Sequence, residues 1–238
     1  LITGRVKAEF SAGGANTVDV STLDLATAGA VTASTFVPTA GGRYDVVVVL
    51  STYKDVHATN MTAITTAMQN NDASAFVLFM DGCCEPSRNT NVTKLVTALN
   101  TALGSQLIAK GDPATGALSG SLASLNPLQV GDVNYLRGVP ADNVLYLPHG
   151  MSPPASPQTP VPAGTQAMGV LFPRSQVNGG KGACVFGIVD ITLWANPNGA
   201  IVYGTGPGTG NFGKIGPAFL DAATAPGGAC GVAGTVAK

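Results

Sequence analysis

Two short apolar runs separated by a helical pattern constrain this chain more than any other feature. Tyr44 to Leu50 (YDVVVVL) is almost continuously β-branched, and Ala75 to Met80 (AFVLFM) is a second apolar run of strand length. A strand with one wet face alternates polar and apolar residues. A strand that stays apolar at successive positions is covered on both faces, as in parallel sheets layered by helices. Between the runs, Met61, Ile64, Ala67 and Met68 recur at helical spacing. Val92, Leu95, Val96, Leu99 and Leu103 then mark a second helix closed by Gly104. Leu107 to Ala109 begins a further strand. Strands that alternate with helices pair in parallel through right-handed crossovers.

Residues 1–110 are therefore predicted to form an α/β fold of flavodoxin-like type: a mostly parallel sheet with helices on both faces. Upstream, residues 2–10 alternate as a half-exposed strand, 18–28 allow only a poor short helix, and 30–37 read as a strand. After residue 110 glycine, serine, proline and asparagine break the pattern up to 142. Asn143 to Leu147 reads as a strand, 153–162 as a proline-rich exposed loop, and 167–172, 183–194 and 200–203 as strands. The expectation is one domain over 1–238, in which a loop- and strand-rich half (111–238) completes the sheet begun by 1–110.

Surface chemistry narrows the function classes. Charged residues make up only 11% of the chain, with 12 Lys+Arg against 13 Asp+Glu and a net charge of −1. An ordinary soluble domain carries roughly 25% charged residues. Nucleic-acid binding through counterion release needs a basic surface that this composition lacks. Mean hydropathy is +0.28, which disfavours disorder. No apolar run reaches the roughly eighteen residues of a spanning helix. No signal peptide is visible after Leu1, as expected of a mature or excised chain. An uncharged coat of Thr, Ser, Asn and Gln suits an extracellular protein, or one that packs against copies of itself.

Four cysteines allow three pairings. Cys83 and Cys84 are neighbours, and consecutive Cα atoms lie about 3.8 Å apart where disulfides prefer 4.4–6.8 Å. Joining them is strained. Both remaining pairings link the 83–84 turn to Cys184 and Cys230, so two long-range disulfides are expected.

From Arg5 to Pro113 the order of elements, with its YDVVVV strand, resembles class I glutamine-amidotransferase-like and trehalose-utilisation-type domains. The resemblance places Gly82-Cys83-Cys84 after a buried strand, where those amidotransferases carry a nucleophilic cysteine. It implies a hydrolase or amidotransferase using Cys83 or Cys84 with His149. The residues depart from that family: Gly82-Cys83-Cys84-Glu85-Pro86 lacks the second glycine of Gly-x-Cys-x-Gly, and His149 is followed by Gly150 and Met151 rather than a His-x-Glu pair. AFVLFMDG and YDVVVVLSTYK also resemble von Willebrand A-type adhesion domains, which bind Mg²⁺. The turn here, Leu50-Ser51-Thr52-Tyr53-Lys54, has no opening aspartate, and Lys54 opposes a cation. Asp81 is the one candidate ligand and is expected to cap its turn instead.

Gly208-Thr209-Gly210-Asn211-Phe212-Gly213 matches Gly-x-Gly-x-x-Gly, but no βα unit can follow in the remaining residues, so a glycine loop is expected. Cysteines and histidines (His57, His149) show no paired zinc spacing. Asn60-Met61-Thr62 and Asn91-Val92-Thr93 fit the glycosylation sequon. The resulting expectation is a non-enzymatic extracellular bacterial surface, filament, matrix or adhesion protein without a cofactor. Its expected partners are copies of itself or other surface proteins. A glycan or small-ligand binding module is a further alternative.

Overall fold

A computed structural model describes residues 21–36, 44–50, 54–80, 86–104, 108–113, 116–118, 132–148, 165–167, 169–188 and 230. Both apolar runs are strands: β1 is Tyr44–Leu50 and β2 is Ala73–Phe79. They pair in parallel, Val46 opposite Ala75 and Leu50 opposite Phe79. Every residue of β2 is buried. In β1 only Val49 is buried, while Val46, Val47 and Val48 are half-buried. The difference follows from position, since β1 is the outermost strand of its sheet among the described residues.

The crossover between them is helix α1, Ala58–Asn70, with Met61, Ile64, Ala67 and Met68 buried as their spacing predicts. It ends at Asn71, whose φ of 60° is tolerated by asparagine better than by most residues. Helix α2, Pro86–Leu103, follows β2. Its buried stripe includes Val92, Leu95, Val96, Leu99 and Ala102. Gly104 takes φ +65° just past its end. Pro86 suits the first helical position, where the missing N–H has no intrahelical partner to lose. The two helices pack against each other, and Gln69 Nε2 donates to Thr101 O across the contact.

The next strand departs from expectation. β3 (Ile108–Pro113) does not extend the parallel sheet; it pairs antiparallel with β5 (Asp132–Val139). With β7 (Thr165–Ala167) these form a separate three-stranded sheet in the order β3-β5-β7. The place beside β2 is taken by β9, Cys184–Ile188, running parallel with Phe76 opposite Val185. Beyond it lie β8 (Gly169–Phe172), β6 (Val144–Pro148) and β4 (Gly116–Leu118), all antiparallel to their neighbours. The principal sheet is thus mixed and six-stranded, in the order β1-β2-β9-β8-β6-β4. Strands from the second half of the chain complete the sheet that β1 and β2 begin. CVFGI can fill an interior position because successive side chains on both faces are apolar or absent.

Two further readings are corrected. Residues 33–36 form a 3-10 turn rather than a strand. Thr32 N–H donates to the neighbouring Thr35 Oγ1, and Val31 N–H donates to Asn60 Oδ1 of α1, so side chains take the hydrogen bonds a strand partner needs. The turn sets Phe36 against Phe76, ring centroids 6.0 Å apart. Within 18–28, residues 21–24 have no regular structure and the chain turns from Leu25 on, with Thr27 N–H donating to Asp24 O. The predicted strands at 2–10 and 200–203, the residues of 183–194 beyond Ile188, and the 153–162 loop lie outside the described residues.

Candidate functional site

Parallel strands lay out their carboxyl ends side by side, and ligands of open α/β sheets bind there. In this chain that edge is formed by Leu50 of β1, Phe79 of β2 and Ile188 of β9. The segment after β1 leads into α1, and the residues after β2 lead into α2, so both helices start at this edge.

The α1 start is held closed by its own side chains. His57 caps the helix: Nδ1 accepts from Thr59 N–H at 3.3 Å and lies 2.9 Å from Thr59 Oγ1. His57 O accepts from both Asn60 N–H and Met61 N–H. The first-turn donors that could cradle an anion are therefore largely used within the protein.

Three asparagines tie the surrounding loops to the core. Asn60 is fully buried; its Oδ1 accepts from Val31 N–H, and Nδ2 donates to Leu25 O and Thr27 O at 2.8 Å each. Asn91, equally buried, accepts from Val56 N–H and donates to Lys54 O. Asn143 donates to Leu171 O and Gln176 Oε1. Asn60 and Asn91 are the two sequon asparagines. Each uses its amide nitrogen in buried hydrogen bonds, so the folded chain offers neither to a glycosyltransferase. Their positions carry a second sequence signal besides the sequon. Asn60 falls on the stripe of Ile64 and Ala67, and Asn91 on that of Leu95 and Leu99, and a polar residue on an apolar stripe marks a buried connector.

Charged groups at this edge are paired. Lys94 Nζ reaches Asp55 Oδ1 and Val56 O, both at 2.6 Å. Lys54 Nζ lies 3.1 Å from Asp24 Oδ2. The Ala26 N–H, first, and the Lys54 ammonium hold the Asp24 carboxyl below the ordinary aspartate value. A lowered acid favours the fold above the ordinary range, and its contribution fades as pH falls through the lowered value. Among the described residues no group of three His, Cys, Asp or Glu side chains could hold a metal ion. No described helix is long and apolar enough to cross a membrane.

The expected disulfide pairing is overturned. Cys184 bonds to Cys230, not to Cys83 or Cys84, and the Cα atoms are 5.3 Å apart. Strand direction supplies the reason. Cys184 opens β9 level with Ala75, four residues before Phe79, which is about 13 Å along the strand. Residues 83–84 come in sequence after Phe79, the opposite end of β2. Cys83, Cys84, Asp81, His149 and the Gly208–Gly213 loop lie outside the described residues. Residues 81–85 are the link in sequence between Met80 at the end of β2 and Pro86 at the start of α2. No protein-family profile, curated protein or solved structure matches this chain.

Proposed function

We propose that this chain is a non-enzymatic extracellular protein of a bacterial surface, filament or matrix, or an adhesion domain, built on an elaborated flavodoxin-like sheet. The observation that carries the reading is the Cys184–Cys230 disulfide, whose two residues are 1% and 0% exposed. Disulfides form and persist in oxidising compartments and are rare where glutathione keeps thiols reduced. Low charge adds support, since a coat poor in charge favours association with copies of itself or with other surface proteins. Two measurements test it. Antibody detection should find the chain outside producing cells, and sedimentation velocity should show assembly growing with concentration. A chain confined to the cytoplasm and monomeric at high concentration defeats the proposal.

One observation favours a second reading, a cysteine hydrolase or amidotransferase-like enzyme acting through Cys83 or Cys84 with His149. β2 precedes and α2 follows residues 81–85 in sequence, and nucleophile elbows occur between a strand and a helix. Iodoacetamide added to the native protein separates the two. Rapid labelling of a single thiol supports the enzyme; unreactive sulfurs dismiss it. A glycan-binding module remains distinguishable by thermal shift against a panel of free sugars.

A further inference from the structure

We propose that Asn178–Gly179, in the connection between β8 and β9, is a self-modification site: Asn178 closes onto the Gly179 nitrogen, loses ammonia and ends as aspartate or isoaspartate, which loosens that connection from the end of α1. Attack by a main-chain nitrogen on the preceding asparagine amide is hindered by a side chain on the attacking residue, and glycine has no Cβ to obstruct it. Asn178 and Gly179 are both exposed. They are the central pair of a turn in which Gly180 N–H donates to Val177 O, with φ of 47° at Asn178 and 63° at Gly179. Two successive positive φ values favour Asn-Gly above other pairs, so the fold itself selects the reactive dipeptide. Gly179 N–H, the attacking group, donates to no partner among the described residues. Asn60, Asn91 and Asn143 differ on each count: they are buried, their amides are hydrogen-bonded, and Met61, Val92 and Val144 follow them.

The step needs water alone. The Gly179 nitrogen gives up its proton to solvent and bonds to Asn178 Cγ. The Cγ–Nδ2 bond breaks and ammonia leaves, closing a succinimide. Water then adds at either ring carbonyl. Aspartate results when the new Cγ–nitrogen bond breaks, isoaspartate when the original peptide bond does.

The amide nitrogen lost in this way is one the fold uses. Asn178 Nδ2 donates to Gln69 O at 3.1 Å, a carbonyl in the last turn of α1, where no intrahelical partner remains. Ala183 N–H donates to Met68 O beside it, so the β8–β9 connection covers the carboxyl end of α1. A carboxylate at 178 removes the donor and sets negative charge beside the negative end of a helix. Isoaspartate also lengthens the main chain where there is little slack: a Cβ on Gly182 would stand 2.8 Å from Met68 O.

Incubating the purified, folded chain at mildly alkaline pH tests this. Trypsin cuts after Arg174 and Lys181 and releases residues 175–181, while Asn198–Gly199, also an Asn-Gly pair, falls in another peptide. The 175–181 peptide should gain the mass of OH over NH2 and resolve into two isomers. Opening the bond to Gln69 O and the turn bond from Lys181 N–H to Asn178 O slows the reaction by about tenfold each, so the folded chain should convert within about a hundredfold of the rate of the same peptide free in solution. Asn178→Asp gives a second readout, a urea midpoint below that of the unmodified chain. The unmodified chain's midpoint should drift toward it during incubation, and that of Asn178→Gln, which must close a larger ring, should drift less. Conversion slower than the hundredfold limit overturns the proposal, and so does an unchanged midpoint for Asn178→Asp.

Discussion

Asn60 illustrates how one buried amide can decide the conformation of a segment thirty residues away. Its three hydrogen bonds reach Leu25, Thr27 and Val31, fixing the approach of residues 25–31 to α1. An Asn60→Ala chain keeps the helix former and loses all three partners at once. Leaving buried backbone groups unpaired is costly, so a stability loss of about 2–4 kcal/mol is expected. Asn60→Asp keeps the acceptor for Val31 N–H but turns a carboxylate toward two carbonyl oxygens, and should be at least as damaging. Urea denaturation at neutral pH reads both. A loss below about 1 kcal/mol for Asn60→Ala would mean the 25–31 segment is held by its apolar contacts, chiefly Val31 and Leu25. Asn91 has the same role for Lys54 and Val56, which explains why two sequons in this chain are connectors and not attachment points.

At the scale of elements, legibility followed hydrophobic period. The 44–50 and 75–80 runs and the helical stripes at 61–68 and 92–103 stand where their spacing puts them, because each buries its own apolar face whatever lies beyond. The 30–37 strand failed because hydroxyls of Thr32, Ser34 and Thr35 satisfy one another and the backbone. β5 (DVNYLRGV) went unread since Asp, Asn, Arg and Gly interrupt its alternation. The neighbour of β2 was also illegible: β9 is more than a hundred positions away, and no local pattern announces such a pairing. Gly187 shows how closely that neighbour fits. A Cβ placed there would stand 2.7 Å from Val170 Cγ2 and 2.8 Å from Met80 Cε. The methionine end can move aside, but the β-branched Val170 cannot. Gly187→Ala should therefore cost about 1–3 kcal/mol, measured as a lower denaturation midpoint. An unchanged midpoint would show that β8 and β9 can separate slightly without loss.

Across the whole molecule, the principal sheet joins distant parts of the sequence, and the disulfide lies where that joining is most exposed to failure. β9 sits between β2 and β8, so the core of the first half is complete only when residues 184–188 have docked. Cys230 fastens to the first residue of that strand, and its carbonyl accepts from Arg174 N–H in the β8–β9 connection. Order along β2 explains why the pairing could not be read from spacing. Counting cysteines leaves three connectivities open, and only the parallel register of β9 puts Cys184 at the end of the strand away from residues 83–84. Closing a loop across 46 residues removes unfolded-state entropy equivalent to about 4 kcal/mol in the chain-entropy model. The double variant Cys184→Ser, Cys230→Ser should lose about 2–4 kcal/mol and unfold in a single transition, since β2 has no other parallel partner on that side. Chemical denaturation followed by both tryptophan fluorescence and far-ultraviolet circular dichroism checks this. Two separated transitions would mean that β1, β2 and their helices hold together without β9, and that the tail is an accessory to the sheet instead of part of it.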